Sequence, residues 1–146
     1  MVIVVQRVLK ASVTVDGQVV GAIGKGLLLL VGVAEGDTAA QAESLARQVT
    51  KLRVFEDAEG KMGLCLAEAG GCLLAVSQFT LLGDFAKGNR PSFHRAARPE
   101  AARPVFDAHV AALAAASGQP VATGIFGAEM EVSLVNDGPV TFVLNG

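Results

Sequence analysis

Ser77-Gln78-Phe79-Thr80-Leu81 ends an apolar run, Cys72-Leu73-Leu74-Ala75-Val76, and precedes a segment rich in glycine and cations. A buried strand of this kind brings hydroxyls, an amide and backbone N–H donors to its own C-terminal end. Two chemistries use such a set: attack by a hydroxyl, and stabilisation of a developing oxyanion by fixed donors. A hydroxyl nucleophile needs a base beside it. The chain has two histidines, and neither His94 nor His109 is tied to Thr80 by spacing. No pair of carboxylates is set apart for acid and base roles, and Gly21 to Gly26 lacks the Lys-Ser/Thr of a phosphate loop. The bland alternative is a strand whose hydroxyls bond to neighbouring backbone. A second polar stretch lies far away: Asn136-Asp137-Gly138-Pro139-Val140-Thr141. Pro139 cannot donate to a sheet ladder, so Gly138-Pro139 reads as a turn between two strands, and X-Pro bonds adopt cis at modest cost. It is either a plain hairpin turn or a rigid device that aims backbone groups at a ligand.

The elements that must position these stretches follow from periodicity. Val2 to Leu9 and Ser12 to Val15 read as strands, and Asp16-Gly17 is a strong hairpin signal leading into Val19 to Ile23. Leu27 to Val33 is apolar throughout, which predicts a strand covered on both faces. Thr38 with Gln41 forms a capping box for a first helix, whose apolar face is Ala42, Leu45, Ala46, Val49 and Leu52. Arg53 to Phe55 reads as extended, Asp57 to Gly60 as a turn, and Cys72 to Leu81 as the next strand. Gly83 to Arg98 has no periodicity and is expected to be an ordered loop that shelters Phe85 and Phe93. A second helix runs from about Pro99 to Ala116. Pro104 means that it either starts near Arg103 or kinks there, and Gly118 caps it. Val121 to Phe126, Glu129 to Val135 and Val140 to Leu144 complete a strand-rich C-terminus. The expected fold is a single mixed α/β domain over residues 1–146, with eight or nine short strands and two helices on one face.

With 146 residues, 51% of them apolar, the chain can bury a real core. No apolar run approaches the ~20 residues of a membrane helix, and nothing at the N-terminus reads as a signal peptide. A cytoplasmic protein is expected, with Cys65 and Cys72 as reduced thiols. No metal-ligand spacing is present. Net charge is −2, which gives no global attraction for nucleic acid. Locally, Lys87, Arg90, Arg95, Arg98 and Arg103 face only Glu100 between positions 87 and 103. That run is either a solvated basic loop or an edge that contacts phosphates.

Taken together, Ser77-Gln78-Phe79-Thr80-Leu81 and Asn136-Asp137-Gly138-Pro139-Val140-Thr141-Phe142 resemble the two signature motifs of the D-aminoacyl-tRNA deacylase family. Gln6-Arg7-Val8, Ala11 to Val15, Asp57 to Met62 and Gly88-Asn89-Arg90-Pro91-Ser92-Phe93 extend the likeness from end to end. The resemblance implies a three-layer α/β/β fold that needs no metal or organic cofactor. It implies hydrolysis of the ester between a D-amino acid, or mischarged glycine, and the terminal adenosine of tRNA. It implies a homodimer with its active sites at the interface, no DNA partner and no membrane. Ser77, Gln78, Phe79 and Thr80 would form one side of the site. Phe126 would lie beside the terminal adenine, with Met130 also on the substrate side. Gly138-Pro139, in cis, would reach in from the partner subunit. Backbone donors near Phe79 and Thr80 and the substrate's 2′-OH then do the chemistry, with a Thr80 nucleophile as the weaker version. Without that resemblance, a nucleotide- or RNA-binding module and a purely structural dimer remain open.

Overall fold

A computed structural model describes residues 1–146. The elements, in order, are β1 (Val2–Val15), β2 (Gln18–Ile23), β3 (Gly26–Gly32), α1 (Ala39–Lys51), β4 (Phe55–Glu56), β5 (Met62–Leu64), β6 (Cys72–Ser77), a 3-10 turn (Phe79–Leu82), α2 (Pro99–Ser117), β7 (Ala122–Thr123) and β8 (Glu131–Asn145). The architecture is the expected mixed α/β one. The main sheet has the order β2-β1-β3-β6-β7, and β8 pairs with β1 off that path. β1 is antiparallel to β2, β3 and β8, whereas β3, β6 and β7 run parallel. Parallel neighbours need long crossovers. The crossover from β3 to β6 contains α1 and the small β4–β5 hairpin; the one from β6 to β7 contains α2. Both helices therefore lie on one face of the sheet.

Two cores result. On the helical face, Ile3 and Val5 of β1, Leu27, Leu29 and Val31 of β3, and Leu73 and Ala75 of β6 pack with Leu45 and Val49 of α1 and Phe106 and Leu113 of α2. On the other face, Val8, Ala11, Val13, Leu28, Leu74 and Val76 pack together, with Met130 and Val132 against them. Alternate residues of β3 and β6 enter opposite cores, which is why both strands are apolar without interruption. Each fully buried leucine stabilises the fold by roughly 2 kcal/mol. The sheet rolls up around the second core. Gly21 of β2 lies against the Thr123 carbonyl of β7, too close for any Cβ.

The short-range signals hold. Asp16 and Gly17 have φ of 49° and 76° in the β1–β2 turn. Both halves of the Thr38–Gln41 capping box form, and Gly118 closes α2 at φ 71°. Other expectations need correction. Val2 to Leu9 and Ser12 to Val15 are one strand, because β8 pairs along almost all of β1. β6 stops at Ser77. The Gln78 N–H makes a last bond to the Val31 carbonyl, and the chain then coils into the 3-10 turn. A start of α2 near Arg103 is excluded, because the helix begins at Pro99 and contains Pro104. Pro104 offers no N–H to the Glu100 carbonyl, which lies in an exposed first turn open to solvent. The strand expected over Val121 to Phe126 is only Ala122–Thr123. Glu129–Val135 and Val140–Leu144 are not a hairpin but two parts of one strand, β8, along the same neighbour.

Candidate active site

Beyond the end of β6 lies a cavity of about 520 Å³. Ser77, Gln78 and Phe79 form one wall; Phe93, Ala96 and Ala97 of the following loop form another. Pro99 and Ala102 of α2 contribute a third, and Phe126, Ala128, Met130 and Val132 the fourth. Eleven of its fifteen lining residues are hydrophobic, so it suits a flat apolar group with polar recognition from one side. Phe126 is backed by the core residue Phe106 at 6.0 Å between ring centroids. The Met130 sulfur lies where a side chain at position 124 would sit, so Gly124 makes its room. Phe79 and Phe93 meet edge to face at 4.9 Å.

Thr80 is exposed beside this wall rather than in the lining. Its Oγ1 accepts a hydrogen bond from Gln78 Nε2. No histidine or carboxylate bonds to that hydroxyl. The 3-10 turn begins at Phe79, so the N–H groups of Phe79 and Thr80 precede its first internal bond, and they donate to no group of the chain. His94 is bonded to Ser92 Oγ at 3.0 Å and lies 3.9 Å from Asp84. His109 is fully buried between the helices; its Nδ1 lies 2.8 Å from the Ala42 carbonyl and its Nε2 has no partner. Burial lowers its pKa, the bond to Ala42 opposing that shift. No group of three His, Cys, Asp or Glu side chains is placed to share a metal ion.

Gly138 and Pro139 do not line the cavity. They occupy a bulge in β8. Val8 pairs with Asn136 and Gln6 with Thr141, so Asp137 to Val140 stand opposite the single residue Arg7. Arg7 is 4% exposed and holds the bulge. Its Nε donates to the Asp137 carbonyl at 3.0 Å and lies 3.2 Å from the Asp137 carboxylate. Its Nη1 donates to the Val54 carbonyl at 2.8 Å, and Glu56 is 3.6 Å from Nη2. Asn136 clamps the other end: its Oδ1 accepts from the Val140 N–H at 2.6 Å, and its Nδ2 donates to the Val140 carbonyl and Thr141 Oγ1. The Gly138–Pro139 peptide is cis. Gly138 has φ 142°, and a Cβ there would meet Val140 Cγ2 at 2.6 Å, so only glycine fits. Both residues of the pair are exposed.

The structure thus gathers Ser77, Gln78, Phe79, Phe126 and Met130 around one cavity, with Thr80 at its edge, and sets Gly138-Pro139 elsewhere. Reasoning from sequence missed Phe93, Ala96, Ala97 and Ala102 as lining, because loop residues and helix alanines carry no chemical signal of their own. It assigned no role to Arg7, although a lone cation in Val2-Ile3-Val4-Val5-Gln6-Arg7-Val8 was such a signal: a charge in a buried strand needs partners.

A long rolled sheet with two helices on one face and a largely apolar cavity at a strand end is the frame of a protein with one built site for a small or terminal group. Comparison with known proteins specifies which. The profile of the family described as "D-Tyr-tRNA(Tyr) deacylase" matches residues 4–145. A D-aminoacyl-tRNA deacylase of Chloroflexus aurantiacus is 59% identical over 142 residues, 97% of this chain and 88% of that protein. One from Thermomicrobium roseum is 57% identical over 145 residues, 99% of this chain and 94% of that protein. A solved structure described as "c-Myc DNA Unwinding Element Binding Protein" superposes with a TM-score of 0.92 at 40% identity, covering 100% of this chain and 99% of that one. The chain belongs to the D-aminoacyl-tRNA deacylase family. It is a hydrolase whose substrate is tRNA esterified to a D-amino acid.

Proposed function

We propose that the active site is shared between two copies of the chain, with the cavity of one completed by the Gly138-Pro139 bulge of the other. The carrying observation is that Asp137 to Val140 are rigidly held opposite Arg7 yet form no part of the cavity at the end of β6. A second copy would also cover the apolar side chains that β8 exposes: Val135, Phe142 and Val143. The terminal adenine of the tRNA lies against Phe126 and Met130, and the ester carbonyl sits at the Phe79 and Thr80 N–H groups. Water adds to the carbonyl carbon and those donors hold the oxyanion. The bond to the ribose oxygen then breaks, and the neighbouring ribose hydroxyl, the 2′-OH, relays the proton from water to the leaving oxygen. Ser77 and Gln78 position the donors, and Thr80 Oγ1 is no nucleophile because it has no base.

Chirality is read by exclusion. The Gly138-Pro139 backbone occupies the space that an L side chain needs, while a hydrogen on that side is admitted. D-esters pass, and so does glycine on the wrong tRNA, which makes the enzyme a proofreader of translation in the cytoplasm. The basic segment from Lys87 to Arg103 faces phosphates of the acceptor end, which explains tRNA binding by a protein of net charge −2. The test of the chemistry is a D-aminoacyl-tRNA whose terminal ribose lacks the 2′-OH. Its hydrolysis should slow by at least about a hundredfold, in the range of lost general acid–base assistance. Full-rate hydrolysis would remove the hydroxyl from the mechanism.

A further inference from the structure

The loop after the 3-10 turn is not slack. Asp84 and Ser92 exchange both backbone hydrogen bonds, at 2.8 and 2.9 Å, closing a small hairpin over the intervening residues. Asp84 Oδ1 accepts from the Ala86 N–H at 2.8 Å, and the Gly88 N–H donates to the Phe85 carbonyl at 3.1 Å. His94 braces the base through Ser92 and Asp84. This braced hairpin presents Phe85 to solvent, 60% exposed, contrary to the expectation that the loop shelters it. Phe93 is half-buried on Phe79. A Cβ placed on Gly83 would be 3.4 Å from Phe93 and 3.7 Å from Phe85, so Phe93 and Phe85 both border Gly83, while Phe93 alone is in ring contact with Phe79 at the cavity wall. Beside Phe85 on the same hairpin lie Lys87 and Arg90. Among the lysines and arginines of the loop and the first turns of α2, only Arg103 has an acidic partner, Asp107.

We propose that this hairpin is a platform for the single-stranded nucleotides immediately 5′ of the terminal adenosine: a base stacks on Phe85, and Lys87 and Arg90 neutralise the adjoining phosphates. An exposed ring next to unpaired cations is the combination that holds unpaired RNA, because every base has a face to stack and every linkage a charge. The unpaired 3′ end of tRNA supplies both, and Phe93 and Phe79 lie between Phe85 and the cavity. The inference rests on the reading that the cavity takes the terminal adenosine.

Phe85→Ala is compared with the wild type on two substrates, D-aminoacyl-tRNA and the same D-amino acid esterified to adenosine alone. The platform predicts a KM about tenfold higher on the tRNA, equivalent to ~1.4 kcal/mol, with kcat unchanged and the adenosine ester unaffected. Phe85→Tyr should restore the tRNA KM. Lys87→Ala and Arg90→Ala should each reduce the dependence of binding on salt by about one unit of slope. No change on tRNA overturns the proposal. So does an equal loss on both substrates, or a change of oligomeric state, either of which would make Phe85 a packing residue. Phe126→Ala separates the two readings: it should weaken both substrates, and if it weakens neither, the adenosine placement fails whatever Phe85 does.

Discussion

The two polar stretches of this enzyme are built in opposite ways. The stretch from Ser77 to Leu81 inherits its position from the sheet: β6 is fixed by both cores, and the chain leaves it into a short turn whose first N–H groups are free. The stretch from Asn136 to Thr141 is expelled from the sheet and held by side chains, above all Arg7 and Asn136. The first has a cavity and lacks anything to judge a stereocentre. The second has a rigid, exposed Gly138-Pro139 backbone and forms no part of that cavity. Under the proposed function, binding and selection therefore fall on different parts of the fold.

That division can be broken most decisively by mixing. Ala128→Trp should fill the cavity, and Gly138→Ala should collapse the bulge onto Val140; each alone should lower kcat/KM for D-esters by about a hundredfold, as small misplacements of a site do. If the halves come from different copies, reassociating an equal mixture restores roughly a quarter of wild-type activity, since half the dimers are mixed and one of their two sites is intact. No recovery would place both halves in one chain. Arg7→Met should come next. It leaves the Asp137 and Val54 carbonyls without their donor, at a cost of about 2–4 kcal/mol in stability by chemical denaturation. Activity should drop about tenfold while adenosine binding persists, which locates the damage in the selecting half. Thr80→Val should keep the rate within about threefold, and a trapped acyl-enzyme would overturn that expectation.

The smallest effect concerns a residue in neither half. His109 is buried neutral and its folded pKa is lowered by desolvation. Between that value and the unfolded value near 6.5 the unfolded chain holds the extra proton. Its contribution to stability is therefore fully present above about pH 6.5 and is lost as pH falls through the folded pKa. Melting temperatures from pH 7.5 to 5 should fall less steeply in His109→Leu than in the wild type, with kcat at pH 7.5 unchanged.

Much of the scaffold is legible where a residue acts on its own neighbours: the Asp16-Gly17 turn, the Thr38–Gln41 box, the Gly118 cap and the unbroken apolar runs of β3 and β6. The paired strand pattern of β8 is not legible, since a local pattern of polar residues around Gly138-Pro139 looks the same in a hairpin and in a bulge. Only the partner decides, and the partner is β1, more than a hundred residues earlier in the chain. The same holds for Arg7, whose ligands come from β4's approach and from β8. Phe85 shows the reverse error: hydrophobicity alone predicts burial, while the hydrogen bonds of its hairpin push it outward.

The pairing of the first strand with the last has a consequence for biosynthesis. Thr14 pairs with Glu131 and Val2 with Asn145, so β1 must wait, uncovered along one side, until the ribosome has delivered the whole of β8. Contacts this distant in sequence form late and slowly. On the proposed function, the part of the fold that judges the stereocentre is therefore among the last to be put in place, after the scaffold of β3 and β6.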